Sequence, residues 1–415
     1  MKQKYTFHKS VRGHLHVIRE VPCEDYSDSF SEENGRYYIA IVADGHGAAE
    51  CFRSSFGAKA ATMVAMKCLK EFAESVMVSA ETEKMFYREI ISNPRYRQAT
   101  IRRLTDTIIA GWHDSIWEDY KINPPMPEEL GENKEKYKDE TKVPHIYGTT
   151  LLAALQFEKC LILLHQGDGR CDVFYADGTV DQPIPWDSRC EDTAVTSLCD
   201  KDVANSIRST VLDLVEKEVI ACYLGCDGVE DAYRDTYENL GGTHEKMGGV
   251  HTFYKDLTCK IAVLEIEKFE KDIEQMLSEF SKNGLFSHSG SGDDVSVAGI
   301  VDRTAILKVV ERFALDVKRY ALEETLFWKE DELRGKFRKH EILKKRMDEA
   351  YKQKEMLLKE KEKHQYSEQA LQEAEQRYET AKNLFDLFDA KYQQIQKEAE
   401  EVLAELEELR NYKRD

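Results

Sequence analysis

The 415 residues predict an α+β layered domain followed by a region of long helices, and three observations carry that prediction. Short apolar or β-branched runs recur through the first 303 residues. Two longer stretches with helical spacing lie among them. After residue 303 the chain loses its breakers: all eight prolines lie at or before Pro185, and Gly335 alone follows Gly299. Strands follow strands instead of alternating with helices, so layered α+β packing is expected rather than a parallel repeat of strand and helix.

The runs at Tyr37–Ala43, Gly148–Leu155, Cys160–His165, Cys171–Tyr175, Val219–Cys226 and Val295–Val301 suit strands buried between layers. Helical spacing appears from Ala49 to Val78, with Phe52, Phe56, Ala60, Val64 and Cys68 on one face. It returns over Gln98–Tyr120 with Ile101, Leu104, Ile108, Trp112 and Ile116. The Ala-Asp-Gly turn in CDVFYADGTV predicts a hairpin. Residues 121–146, with Pro124, Pro125 and Pro127, read as a solvated excursion. VRGHLHVI alternates as a strand would, which makes His14 and His16 surface or sheet residues. Gly148-Thr149-Thr150 reads as the start of a core strand whose hydroxyls satisfy nearby backbone.

Beyond residue 303 the period changes. Leu371, Ala374, Tyr378, Ala381, Phe385, Phe388, Tyr392, Ile395, Ala399, Val402, Leu406 and Leu409 alternate spacings of three and four. That is a coiled-coil seam, and residues 371–412 as one helix would span roughly 60 Å. The stripe earlier in this region (Val310, Phe313, Val317, Tyr320, then Leu343, Met347, Ala350, Leu357) is interrupted. Two arrangements fit: an antiparallel hairpin within one chain, or pairing with a second copy or a partner helix. The domain reading is therefore 1–303 for the α+β part and 304–415 for the coiled coil.

Charge separates the same two parts. The formal net charge is −19, yet residues 304–415 hold 24 basic and 26 acidic residues, so the first 303 carry −17. An acidic protein without a basic patch repels nucleic-acid phosphates and anionic lipid, which excludes both as first partners. No segment reaches the roughly 20 apolar residues of a membrane span, and the N-terminus lacks a signal-type apolar stretch. The ten cysteines show no CxxC pair, and Cys222 and Cys226 lack partners at zinc spacing. They read as reduced thiols of a cytoplasmic protein.

The chemical signal is where carboxylates fall. Asp44 follows YYIAIVA, Asp168 closes LILLHQG, Asp227 follows ACYLGC, Asp293 and Asp294 precede VSVAGIV, and Glu24-Asp25 form a pair near the N-terminus. One Asp-Gly after a strand is an ordinary turn. Several at the ends of adjacent strands converge, and clustered negative charge needs cations. Hard ions such as Mg²⁺ or Mn²⁺ favour such oxygens, and a pair of them suits hydrolysis of a phosphate ester. Gly45 allows close approach of the backbone and a carbonyl ligand.

The ordered set CEDYSDSF, VADGHGA, YGTTLLAAL, GDGRCDVF, LGCDGVED and SGDDVSVAGI resembles the protein phosphatase 2C family of metal-dependent Ser/Thr phosphatases over residues 8–303. The resemblance implies an αββα sandwich, two central antiparallel sheets flanked by helices, with two metal ions at one end. Asp44 would bridge the ions, the Gly45 carbonyl would bind one, and Asp227 and Asp293 the other. Asp168 matches a residue associated with a third ion. Glu24 and Asp25 match the pair that orients the attacking water, and His46 the general acid for the leaving oxygen. The substrate implied is a phosphoserine or phosphothreonine protein, attacked directly by water. The stretch from Asp187 to Arg208 falls at the family's flap.

The resemblance departs at defined points. The position of the family's phosphate-binding arginine holds Glu20, so either a local shift brings Arg19, one step away, to the substrate phosphate, or the metals and another cation hold it. The asparagine after the last metal aspartate is Asp294, which adds negative charge near the ions, and Gly169 replaces a common serine. The rival reading is a non-catalytic scaffold acting through the coiled coil. A haloacid-dehalogenase-type phosphatase needs a DxD motif that DGHG does not supply.

Overall fold

The structure, a computed structural model, describes residues 4–131, 137, 139–185, 187–190, 194–233, 247–287, 289–363 and 367–412. Contacts divide the chain into two units, Met1–Val317 and Lys318–Asp415.

The first unit is built on ten strands in two antiparallel sheets. They are β1 (Tyr5–Val11), β2 (Tyr26–Ser31), β3 (Tyr37–Ala43), β4 (Leu151–Phe157), β5 (Cys160–Gln166), β6 (Arg170–Tyr175), β7 (Val180–Asp181), β8 (Arg208–Asp213), β9 (Val219–Gly225) and β10 (Val295–Val301). One sheet has the order β1-β10-β9-β6-β7 and the other β2-β3-β4-β5-β8. Helices α1 (His14–Arg19), α2 (Ser54–Val76), α3 (Ala80–Ser92) and α4 (Pro94–Ile122) come first, then the short turns α5 (Pro127–Leu130), α6 (Val143–Ile146), α7 (Val203–Ser206) and α8 (Asp227–Glu230). Next are α9 (Met247–Val263), α10 (Ile266–Asn283), α11 (Val310–Glu362) and α12 (Glu368–Tyr412).

Side chains alternate along each strand, so odd and even positions feed different layers. Tyr37, Ile39 and Ile41 of β3 join Ala61, Leu69, Ile108 and Trp112 in the core beneath α2 and α4. Tyr38, Ala40 and Val42 face the other sheet and meet Val173, Cys222, Leu224 and Ile300. On the far side Tyr254 of α9 stacks on Tyr223 of β9 at 4.9 Å, and Phe269 of α10 meets Phe7 of β1 at 5.4 Å. The result is the αββα sandwich. β3, β4, β5, β9 and β10 are buried along their whole length, which is why they appear in the sequence as unbroken apolar runs.

Three strands escaped those runs. β1, β2 and β8 are edge strands with polar, half-buried positions. Side-chain hydroxyl pairs join β1 to β2, with Thr6–Ser31 at 2.9 Å and Ser10–Ser27 at 2.8 Å. VRGHLHVI is not a strand: β1 stops at Val11 and His14–Arg19 coils into α1, whose first turn is bolted down by His14 N–H donating to Ser281 Oγ and Leu15 N–H to Gly292 O. The strand read from Gly148 starts at Leu151, because Gly148–Thr150 turn aside to grip Asp44. The flap stretch is described except for residues 191–193.

The opening turns of α11 belong to the first unit, where Phe313 packs on Phe174 at 5.6 Å and Asp316 pairs with Lys255 at 2.8 Å. The second unit is a helical hairpin of the rest of α11 with α12. Lys318 pairs with Glu405, Lys329 with Glu398, His340 with Asp389, and Tyr351 meets Tyr378. One partner number falls as the other rises, so the helices run antiparallel. Of the two arrangements left open by the seam, the chain adopts the internal one. Leu371, Ala374, Ile395, Ala399 and Leu406 are buried at the seam.

Candidate metal centre

Each carboxylate of the centre sits where a buried strand ends. Asp44 follows β3, and both its backbone groups are held by the β4 approach: its N–H donates to Thr150 Oγ1 (2.9 Å) and its carbonyl accepts from Thr149 Oγ1 (2.8 Å). Asp168 lies in the β5–β6 turn beside Gly167, whose φ of +109° favours glycine. Asp227 opens α8 directly after β9. Asp293 and Asp294 lead into β10. Gly45 has no room for a side chain, since a Cβ would collide with the Glu24 carbonyl.

The tertiary structure brings one oxygen each of Asp44, Asp168 and Asp227 within 4.8 Å of one another. Asp25, Asp44 and the Cys226 sulfur form a second such group, and His16, Asp293 and Asp294 a third. Asp293 thus lies with His16 rather than inside the Asp44 triad; its Oδ1 accepts the Asp294 N–H at 2.8 Å. Glu24 is fixed by Ser54 Oγ, which donates to its Oε1 at 2.6 Å.

Burial, then neighbouring carboxylates, drives the acids up. Asp44 is held well above the usual carboxylate range by burial, then by Asp25 and Asp168. Asp227 follows from burial, then Asp44 and Asp168, and Asp25 from burial, then Asp294. Burial also raises Asp168, Asp293 and Glu24. Such a group without cations holds protons instead of charge. Among the described residues the buried Asp25 Oδ2 atom has no hydrogen-bond partner. The all-carboxylate group of Asp44, Asp168 and Asp227, with the orphaned Asp25 oxygen beside Asp44, fits hard divalent ions.

His46 sits beside Asp44, with its backbone N–H donating to the Gly148 carbonyl at 3.1 Å. Burial and then His145 pull its imidazole down to about 4. In this setting the ring is neutral at pH 7 and offers an N–H rather than an imidazolium proton. Arg19 is exposed at the end of α1, and Glu20 is the left-handed cap of that helix at φ +59°. Arg12, also exposed, donates from Nη2 to the His16 carbonyl at 2.9 Å.

Two residues of the centre acquire roles that the sequence did not disclose. Asp294, expected to add charge near the ions, is 3 % exposed, and its charge weighs on Asp25 while its oxygens are taken up by backbone N–H groups. Its Oδ1 accepts from the Gly13 N–H (2.6 Å) and its Oδ2 from the Glu24 N–H (2.6 Å), which ties the N-terminal acidic pair to β10. His16 Nδ1 lies 2.9 Å from Asp294 Oδ1. A cleft of about 1540 Å³ between α2 and α4 holds none of the centre's carboxylates.

Residues 12–277 match the family model described as protein phosphatase 2C. This is more than half of the chain, and the chain belongs to the protein phosphatase 2C family. Mg²⁺ or Mn²⁺ is the cofactor consistent with that family. No curated protein matches it. Among solved structures it is similar to a bacterial serine phosphatase, with 15% identity, TM-score 0.39, and coverage of 72% of this chain and 98% of that one. It is similar to a C. elegans sex determining protein at 13% identity and TM-score 0.43, covering 75% of this chain and 68% of that one. The catalytic domain of the serine threonine protein phosphatase PstP, crystallised with two manganese ions, matches at 14% identity and TM-score 0.38, covering 72% and 97%.

Proposed function

We propose that the chain is a metal-dependent protein phosphatase that hydrolyses phosphoserine and phosphothreonine by direct attack of water at a two-ion centre. The observation that carries this reading is the convergence of Asp44, Asp168 and Asp227 within 4.8 Å. Asp44, Asp227, Asp293 and the Gly45 carbonyl hold two Mg²⁺ or Mn²⁺ ions, and Asp168 supports a third. When bound, the ions lower the pKa of water and neutralise phosphoryl oxygens.

The chain's own groups do the rest. Glu24, oriented by Ser54, and Asp25, with its free buried oxygen, accept hydrogen bonds from the attacking water and set its direction. His46 faces the leaving oxygen and donates its N–H there. Its low pKa reserves full proton transfer for a state in which nearby phosphate charge raises it. Arg19, exposed on α1, is the cation for substrate phosphate.

The test is hydrolysis of para-nitrophenyl phosphate and a phosphothreonine peptide with added Mn²⁺. Activity lost on EDTA treatment and in Asp44→Ala is expected. Bound Mn²⁺ without hydrolysis would leave the scaffold reading, which Glu20 in place of the usual arginine favours. The seam of residues 371–412 is consumed internally, so docking or homodimerisation falls to exposed apolar side chains of the hairpin, among them Ile342 (45%), Leu384 (51%) and Leu387 (75%). Light scattering of the full chain beside an Ile342/Leu384/Leu387→Ser variant reads that role.

A further inference from the structure

The imidazole of His16 sits between two carboxylates, and its surroundings hold it there. A Cβ on Gly13 would run into the Asp293–Asp294 peptide, so α1 starts in direct contact with that segment. Leu15 N–H donates to the Gly292 carbonyl at 2.8 Å, and Ser281 Oγ links the His14 N–H to the Asp293 carbonyl at 2.9 and 2.8 Å. Arg12 closes the other end of the helix through the carbonyls of His16 and Val21. The ring therefore projects from a fixed frame.

Its two nitrogens face different acids. Nδ1 lies 2.9 Å from Asp294 Oδ1 and Nε2 lies 3.4 Å from Asp293 Oδ1. Asp294 also accepts from the Gly13 and Glu24 N–H groups, so it acts as an acceptor and the facing Nδ1 is assigned the proton. Nε2 is thereby directed at an oxygen of Asp293, and donor atoms of His16, Asp293 and Asp294 all lie within 4.8 Å of one another. Two such atoms sit this close only with a proton or a metal ion between them. Metal–ligand bonds of about 2.1 Å meeting at a right angle put neighbouring donor atoms about 3 Å apart, close to the spacing seen here.

We propose that His16 Nε2 is a ligand of the ion held by Asp293, adding one nitrogen to a centre otherwise built of oxygens. The inference rests on the metal-centre reading above and adds to it a metal preference. Imidazole suits first-row transition ions, whereas Mg²⁺ is served by carboxylate, carbonyl and water. The centre accordingly selects Mn²⁺ over Mg²⁺. Asp294 fixes the ring's tautomer and tilt, as the outer partner of a metal-binding histidine does.

The experiment is electron spin echo envelope modulation on the full chain loaded with Mn²⁺. A ¹⁴N modulation is expected in the wild type, changed to the ¹⁵N pattern by labelling with ¹⁵N-histidine and absent in His16→Gln. Calorimetric titration of that variant is expected to show Mn²⁺ binding weakened about tenfold or more, with Mg²⁺ binding changed less. Mn²⁺ that binds the wild type and is lost in Asp227→Asn, yet shows no nitrogen modulation, overturns the His16 ligand and leaves the phosphatase centre standing. Modulation that persists in His16→Gln also overturns it, by assigning the nitrogen elsewhere. Wild-type protein that binds no Mn²⁺ at all overturns the centre itself. The wild-type spectrum does not depend on any variant folding.

Discussion

The two units of the chain keep their apolar groups from water by different means. In the first, a strand such as β3 is covered on both faces, and its residues are divided between a sheet–helix core and a sheet–sheet core. In the second, each helix hides one stripe on the other, and most remaining positions are exposed. Burial from two sides makes rigid strand ends, and rigid ends are where charges can be held against one another. A hairpin buried from one side leaves its charges in water, with some paired along the rim, as Lys318 is with Glu405. The −17 of the first 303 residues and the near-neutrality of the rest follow that division. Chemistry requiring crowded carboxylates belongs to the sandwich.

The largest expected effect tests that assignment. Asp44→Ala or Asp227→Ala lowers metal-dependent hydrolysis by more than about 100-fold, beyond the loss typical of an outer-sphere change. A chain shortened to residues 1–317 keeps the activity within a small factor. Equal loss in both would break the contrast, because the hairpin would then be part of the catalytic fold. Initial rates on para-nitrophenyl phosphate with Mn²⁺ read both.

Next comes packing. Ile41→Ala in fully buried β3 costs about 2–5 kcal/mol in urea unfolding, because neighbours on both sides cannot close the cavity. His340→Ala in the hairpin loses the stack on Tyr392 at 4.6 Å and the 2.7 Å contact with Asp389. Its cost is about 1–3 kcal/mol, visible in the helical signal but not in hydrolysis. A smaller effect at Ile41 than at His340 would reverse the ranking of the two kinds of core.

The smallest effect is the pH dependence of metal stabilisation. Asp25, Asp44 and Asp227 have folded pKa values raised above their unfolded ones, first by burial. Without metal, their contribution is present below the ordinary carboxylate pKa and is lost as pH rises through the raised values. Divalent ions replace those protons, so the Tm increase produced by Mn²⁺ is larger at pH 7.5 than at pH 5.5. At 100 times the Kd the gain is about 2.7 kcal/mol. Differences between loaded and stripped protein cancel the opposite slope of buried His165, whose pKa is lowered first by burial. An increase independent of pH would show that the ions bind away from these acids.

Much of the site was legible because its residues mark ends of runs. Asp44, Asp168, Asp227 and Asp293 stand beside the six runs recognisable as strands, so the carboxylates could be picked out along with the layers. His16 was hidden for the opposite reason. VRGHLHVI alternates like a strand, and only the backbone bonds to Gly292 and Ser281 bend it into α1. Edge strands β1, β2 and β8 escaped because an edge half in water needs no apolar run. The hairpin's seam was visible to the residue, but which helix would cover it was not.

By itself the amino-acid order determined what local periodicity and composition can encode: buried strands, a heptad seam, and acidic residues at strand ends. Tertiary structure alone decided what depends on contacts between residues far apart in the chain. It set Asp294 to accept from Gly13 and Glu24, placed His16 against Asp293, and folded α12 back on α11. Those outcomes turn on angles and on distances of about 3 Å between segments up to 281 residues apart, and no window of sequence contains both partners.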